Sequence, residues 1–189
     1  MPVSNFNFGA VVAMFCVLPL ACLPQTGCAT RSTKVAVRSP ASDAEIVDML
    51  LTHNEVAVRI VALCGERAVR ADLKEYCSTG APRLAAQRQQ LVQWRKSPGD
   101  QLPQHDDQYD TFLRRMKEAS GDEFDEAAVR AIRVHAREGL METTACEERA
   151  ADARLKQFCG EMKSAQQRAL DNARNWICDW FKDCAERAR

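Results

Sequence analysis

Two histidines and two pairs of cysteines carry whatever chemistry this chain has, and they recur at one spacing. Moving the sequence along itself by 82 residues lays His53 on His135, Cys64 on Cys146, Cys77 on Cys159 and Trp94 on Trp176. Between the cysteines, ERAVRADLKEYC (66–77) falls over ERAADARLKQFC (148–159) in register. Four rare residue types at one offset read as an internal duplication. The cysteines are then the staples of each repeat, and the histidine is the residue left for chemistry. Met49, four residues before His53, shares a helical face with it. Imidazole with thioether is a donor set for soft Cu(I), so Met49, His53 and His135 are the candidate ligands if the repeats face each other. The alternative is that both histidines are hydrogen-bonded core residues.

Other chemistry is excluded. No histidine has a glutamate three residues before it, as a di-iron centre needs, and H-E-x-x-H is absent. There is no glycine-rich phosphate loop, no G-x-S-x-G elbow and no dinucleotide fingerprint. A Cys–His nucleophile within one repeat fails on distance, because His53 and Cys64 stand about 16 Å apart along a helix. His105, in Gln104-His105-Asp106-Asp107, reads as a solvated loop residue. Nothing in the sequence supports enzymatic activity. Lys plus Arg equals Asp plus Glu, 26 against 26, with no basic block. Nucleic acid and anionic membrane surfaces are therefore not implied as partners.

The chain opens with an address. None of its first 30 residues is Asp, Glu, Lys or Arg, and Gly9 to Pro24 is apolar throughout. That stretch is short for a membrane span and reads as a secretory signal over residues 1–28. An uncleaved anchor is the alternative, opposed by Pro19 within the run. Cys28, between Gly27 and Ala29, is the candidate lipidation site of a lipoprotein, although Gln25 stands where leucine is expected; Cys22 is a weaker acceptor. Attachment to a membrane through that lipid, and docking to another envelope protein, are the partner expectations. Residues 29–41 form a tether.

Export puts the other cysteines in an oxidising compartment, where disulfides are the default. The repeat spacing pairs Cys64 with Cys77 and Cys146 with Cys159, leaving Cys178 with Cys184. No C-x-x-C pair supports a zinc or iron–sulfur site.

The rest is helical, and it must place the histidines. Ser42-Asp43-Ala44-Glu45 is a capping box opening a helix whose apolar stripe, Ile46, Leu50, Ala57, Ile60, Val61 and Cys64, contains His53. A second helix runs from about 69 to 96, with a kink expected at Gly80-Ala81-Pro82. After a linker comes a short helix near 107–119. Ser120-Gly121-Asp122-Glu123 reads as another capping box, before the helix of His135 and Cys146, and a last helix spans about 150–181. The expectation is an all-α domain over 42–184, a four-helix bundle of two disulfide-stapled hairpins. Repeat 1 covers 42–96, the linker 97–119 and repeat 2 120–184. Trp94, Trp176 and Trp180 are read as packing residues at helix ends.

These residues carry a resemblance. IVDMLLTHNEVAV (46–58) resembles the D-M-M-I-x-H-H-x-x-A-I signature of the bacterial domain-of-unknown-function family 305. SGDEFDEAAVRAIRVHAREGLM (120–141) is similar to that family's S-G-x-E-F and second M-I-x-H-H-x-x-A motif. The tail, LKQFC with a later Ala-Gln and NWICDWF (155–181), matches as well. The resemblance implies a ferritin-like bundle exported to the cell envelope and, in some relatives, copper handling through histidine and methionine. This sequence departs from the pattern at the paired histidines, where Asn54 follows His53 and Ala136 follows His135.

Overall fold

A computed structural model describes residues 42–95 and 107–185. The leader with Cys28, the tether, His105 and the rest of residues 96–106 lie outside the described residues. Five helices follow in order: α1 (Asp43–Arg67), α2 (Ala71–Trp94), α3 (Asp107–Glu118), α4 (Gly121–Arg149) and α5 (Ala153–Phe181). There is no strand among the described residues. The helices α1 and α2 form one hairpin and α4 and α5 the other; α1 packs on α4, and α3 lies against both.

Each hairpin is stapled at its turn, by Cys64–Cys77 and by Cys146–Cys159, with Cα atoms 5.9 and 6.0 Å apart. Cys178–Cys184 closes the C-terminus. The Ser42 box forms: the Ser42 hydroxyl accepts from the Glu45 amide at 3.3 Å, while the Ser42 amide donates to the Glu45 carboxylate at 2.7 Å. The Ser120 box does not form. Ser120 is the N-cap of α4 without a side-chain bond, and Gly121 follows at φ +58°, which carries the hydroxyl away from the helix amides. Helix α2 runs unbroken through Pro82. Pro82 and Ser78, whose carbonyl loses its partner, are both exposed, so the orphan group is open to solvent.

The hairpins are joined by reciprocal contacts between residues at the 82-residue offset. The Asp125 carboxylate on α4 accepts from the Val69 and Arg70 amides before α2, at 3.1 and 2.9 Å. The Asp43 carboxylate on α1 accepts from the Ala151 and Asp152 amides before α5, at 2.8 and 3.0 Å. Each hairpin thus caps the other's second helix, where the amide end of the helix dipole favours a carboxylate. These contacts join the start of each long helix to the end of the other, so α1 and α4 are antiparallel. Aromatic pairs follow the same logic. Tyr76 meets Trp176 edge-on at 5.3 Å, and Phe158 meets Trp94 at 5.0 Å, which clasps α2 to α5 at two levels. Trp176 also stacks on Trp180 at 5.2 Å.

Burial divides into two apolar clusters. One holds Ile60, Cys64, Leu73, Cys77, Phe124, Val129 and Leu170. The other holds Ile46, Leu50, Leu91, Cys146, Phe158 and Met162. Between them, on three helices at one level, lie the polar residues of the candidate site.

Candidate functional site

That level is defined by where the apolar stripes are interrupted. On α1 the second cluster ends at Leu51 and the first begins at Val56, with His53 and Asn54 between. On α4 the gap holds Gly139 and Glu142 just beyond His135 and Ala136, and on α5 it holds Gln166. Since α1 and α4 cross here in opposite directions, the two histidines meet. Their rings stack at 3.7 Å between centroids, with planes 13° apart. His53 and His135 are only 5 and 7 % exposed.

The two imidazoles have different surroundings. His53 Nδ1 lies 3.0 Å from a Glu142 carboxylate oxygen, an ion-pair distance at which that oxygen lacks hydrogen-bond alignment. Its Nε2 lies 3.0 Å from the amide nitrogen of Gln166. Gly139 makes this packing possible: a Cβ there would sit 2.5 Å from His53 Nε2 and 2.7 Å from the Gln166 amide. His135 has no hydrogen-bond partner at either ring nitrogen. Tyr109 of α3 lies edge-on to it at 5.8 Å, its hydroxyl bonded to Glu138. Burial, and then the neighbouring His53, hold the His135 pKa well below the ordinary imidazole range, so it is neutral. A buried polar side chain with both nitrogens unpaired is rare enough in a folded protein to require a reason.

His135 also lines a cavity of about 50 Å³ between the hairpins, together with Ile132, Met162, Gln166, Tyr76 and Arg83. By volume it admits a few waters or one ion with a small ligand. Met49, the sequence candidate, lies half-buried against the second apolar cluster and is not among the residues of this wall. The thioether residue at the cavity is Met162, which the offset hides because its counterpart in the first repeat is Gly80. Glu142, Gln166 and Gly139 also escape sequence reasoning: all three lie in the second repeat, with Ile60, Leu84 and Ala57 at the matching positions. Asn54, in place of a second histidine, is buried and ties α1 to α2 by donating to the Leu84 carbonyl at 3.2 Å.

Stacked rings do not share a metal as they stand. Imidazole lone pairs lie in the ring plane, so near-parallel planes 3.7 Å apart send them alongside each other instead of to one point about 2 Å from both. One ring must turn, and His135 is the one without hydrogen bonds. Among the described residues no group of three or more His, Cys, Asp or Glu is placed to hold a metal ion. What remains is two imidazoles and a thioether, a set suited to a soft, low-coordinate ion and unsuited to a hard one.

Comparison with known proteins places the fold. A family model described as a domain of unknown function, DUF4142, matches residues 29–176. The chain belongs to that family. No curated protein matches in sequence. Among solved structures, a secreted DUF305 protein from Streptomyces coelicolor superposes with a TM-score of 0.65 at 16 % identity, over 72 % of this chain and 91 % of that one. CopM in its silver-bound form gives 0.64 at 14 % identity, over 75 and 98 %. CopM in its Cu(I)-bound form gives 0.64 at 14 %, over 75 and 99 %. The family 305 resemblance in the sequence thus has its counterpart in a shared fold, while the family model that covers this DUF4142 chain is a different one. Among the described residues no helix is long and apolar enough to cross a membrane.

Proposed function

We propose that this chain is an exported metal-binding bundle of the cell envelope that captures a soft monovalent ion, copper(I) foremost, at the His53–His135 pair, without turnover. The observation that carries the reading is His135: buried, neutral, unpaired at both nitrogens and facing a cavity that Met162 also lines. CopM, on the same fold, holds copper or silver, which supports the choice of ion. Bound there, the metal would be held by His53, His135 and Met162, with the carboxylate of Glu142 beside His53 offsetting one positive charge. Acylation at Cys28 and docking to an envelope partner belong to the same proposal and are read by mass spectrometry of the membrane fraction.

The experiment is a Cu(I) titration of oxidised protein lacking the leader, beside the His53→Ala/His135→Ala double variant and Met162→Leu. Tight binding that the double variant abolishes and Met162→Leu weakens supports the site. Equal binding by Met49→Leu and the unsubstituted chain separates Met162 from Met49. A second reading, a structural or partner-binding bundle with a degenerate metal site, draws on the near-parallel stack and on the contacts that occupy both His53 nitrogens. Absence of Cu(I) binding by the unsubstituted protein decides for it.

A further inference from the structure

The two nitrogens of His53 are not equivalent, and the difference assigns a role to Gln166. Beside Nδ1 the Glu142 carboxylate stands at 3.0 Å without hydrogen-bond alignment. Facing Nε2 at 3.0 Å is the side-chain nitrogen of Gln166, an N–H donor, so in this arrangement Nε2 is the accepting nitrogen. Gln166 comes from α5, is half-buried and forms part of the cavity wall to which His135 belongs. Its amide therefore stands between the His53 lone pair and the cavity. Gly139 supplies the floor, since both groups lie within 2.7 Å of where a Cβ would be.

We infer that Gln166 is the gate of the histidine site: its amide occupies the His53 Nε2 lone pair in the metal-free protein and must withdraw before that nitrogen takes a ligand from the cavity. The inference rests on the metal reading for the identity of the ligand, whereas the gate itself is tested without metal. His135 has no such keeper, so its nitrogens would be open to a ligand from the cavity before the Gln166 amide withdraws, and His53 Nε2 only afterwards. Gln166 is a positioning residue on this account, since it holds the ring and does not ligate.

The test is acylation of the imidazoles by diethyl pyrocarbonate in chelator-treated protein, followed residue by residue by peptide mass spectrometry. The reagent attacks the neutral ring's lone pair. Gln166→Met, which keeps the length and removes the donor, is expected to raise the rate at His53 about tenfold, the value of one net hydrogen bond. The rate at His135 should change little, because no bond to it is removed. Gln166→Ala serves as the second variant if the thioether packs poorly, with circular dichroism confirming the fold of each. An unchanged His53 rate in both variants overturns the gate. Cu(I) titration of the same proteins separates the two ideas. Faster acylation with no copper uptake by any variant leaves the gate and removes the metal reading. Copper uptake with an unchanged acylation rate does the reverse.

Discussion

Asp125→Ala tests whether the two hairpins are held together by reciprocal capping. The Asp125 side chain is fully buried and accepts two backbone hydrogen bonds, from Val69 at 3.1 Å and Arg70 at 2.9 Å. It also stands 3.8 Å from the Arg70 guanidinium, which lies over Trp180 at 5.0 Å. Hydrogen bonds to a charged partner contribute about 1.5–3 kcal/mol each when one side is deleted. Val69 is 59 % exposed, so water can reach the abandoned amides, and the low end applies. Two bonds then come to about 3 kcal/mol, or a fall in Tm of about 6–12 °C for a domain of this size. Asp43 makes the same two bonds at a wetter place, with the Ala151 amide exposed. Asp43→Ala should therefore cost about 1 kcal/mol, a smaller version of the same effect. The assay is thermal and urea unfolding by circular dichroism with the disulfides intact. The two sites lie at opposite ends of the α1–α4 pair, so their costs should add to within about 0.5 kcal/mol. If Asp125→Ala costs no more than Asp43→Ala, burial does not set the strength of the cap and the reasoning fails.

Three further outcomes are expected. Removing the Cys64–Cys77 staple by a double alanine substitution should lower stability by about 3 kcal/mol through the larger entropy of the unfolded chain; a loss under about 1 kcal/mol in urea titration would contradict the role given to it. Gly139→Ala forces a methyl group to within 2.5 Å of the His53 ring, and should cost about 1–3 kcal/mol and shift the His53 imidazole NMR signals; unchanged signals would mean that the close approach is not obligatory. For His135 the pKa is depressed in the folded state, so below the ordinary imidazole value of about 6.5 the unfolded chain binds a proton that the folded one refuses. Stability should thus fall as pH drops below about 6.5, by up to about 1.4 kcal/mol per pH unit, and His135→Phe should flatten that slope. An identical slope in the variant would place the titration elsewhere.

Much of this was legible in the sequence. Helix number and type, the cysteine pairing and the equivalence of His53 with His135 all follow from local patterns, namely an apolar period near 3.6, caps, and residue types repeated at one offset. Those signals act within a hairpin, where the partners are near in sequence. Whether the two histidines touch depends on how one hairpin crosses the other, and no local pattern encodes that angle. Only the antiparallel crossing of α1 and α4 brings the rings to 3.7 Å, and it does so face to face instead of lone pair to lone pair. The same limit hid Asp43 and Asp125. A single aspartate at each helix start reads as an ordinary first-turn acid, and its partners are supplied by the other repeat. Met162, Gln166 and Glu142 were invisible for a further reason: they break the repeat, so an argument from repetition passes over them. The sequence by itself determined the parts and their staples. The tertiary structure decided which polar groups face one another at the centre, because that choice follows from packing two apolar clusters on either side of them.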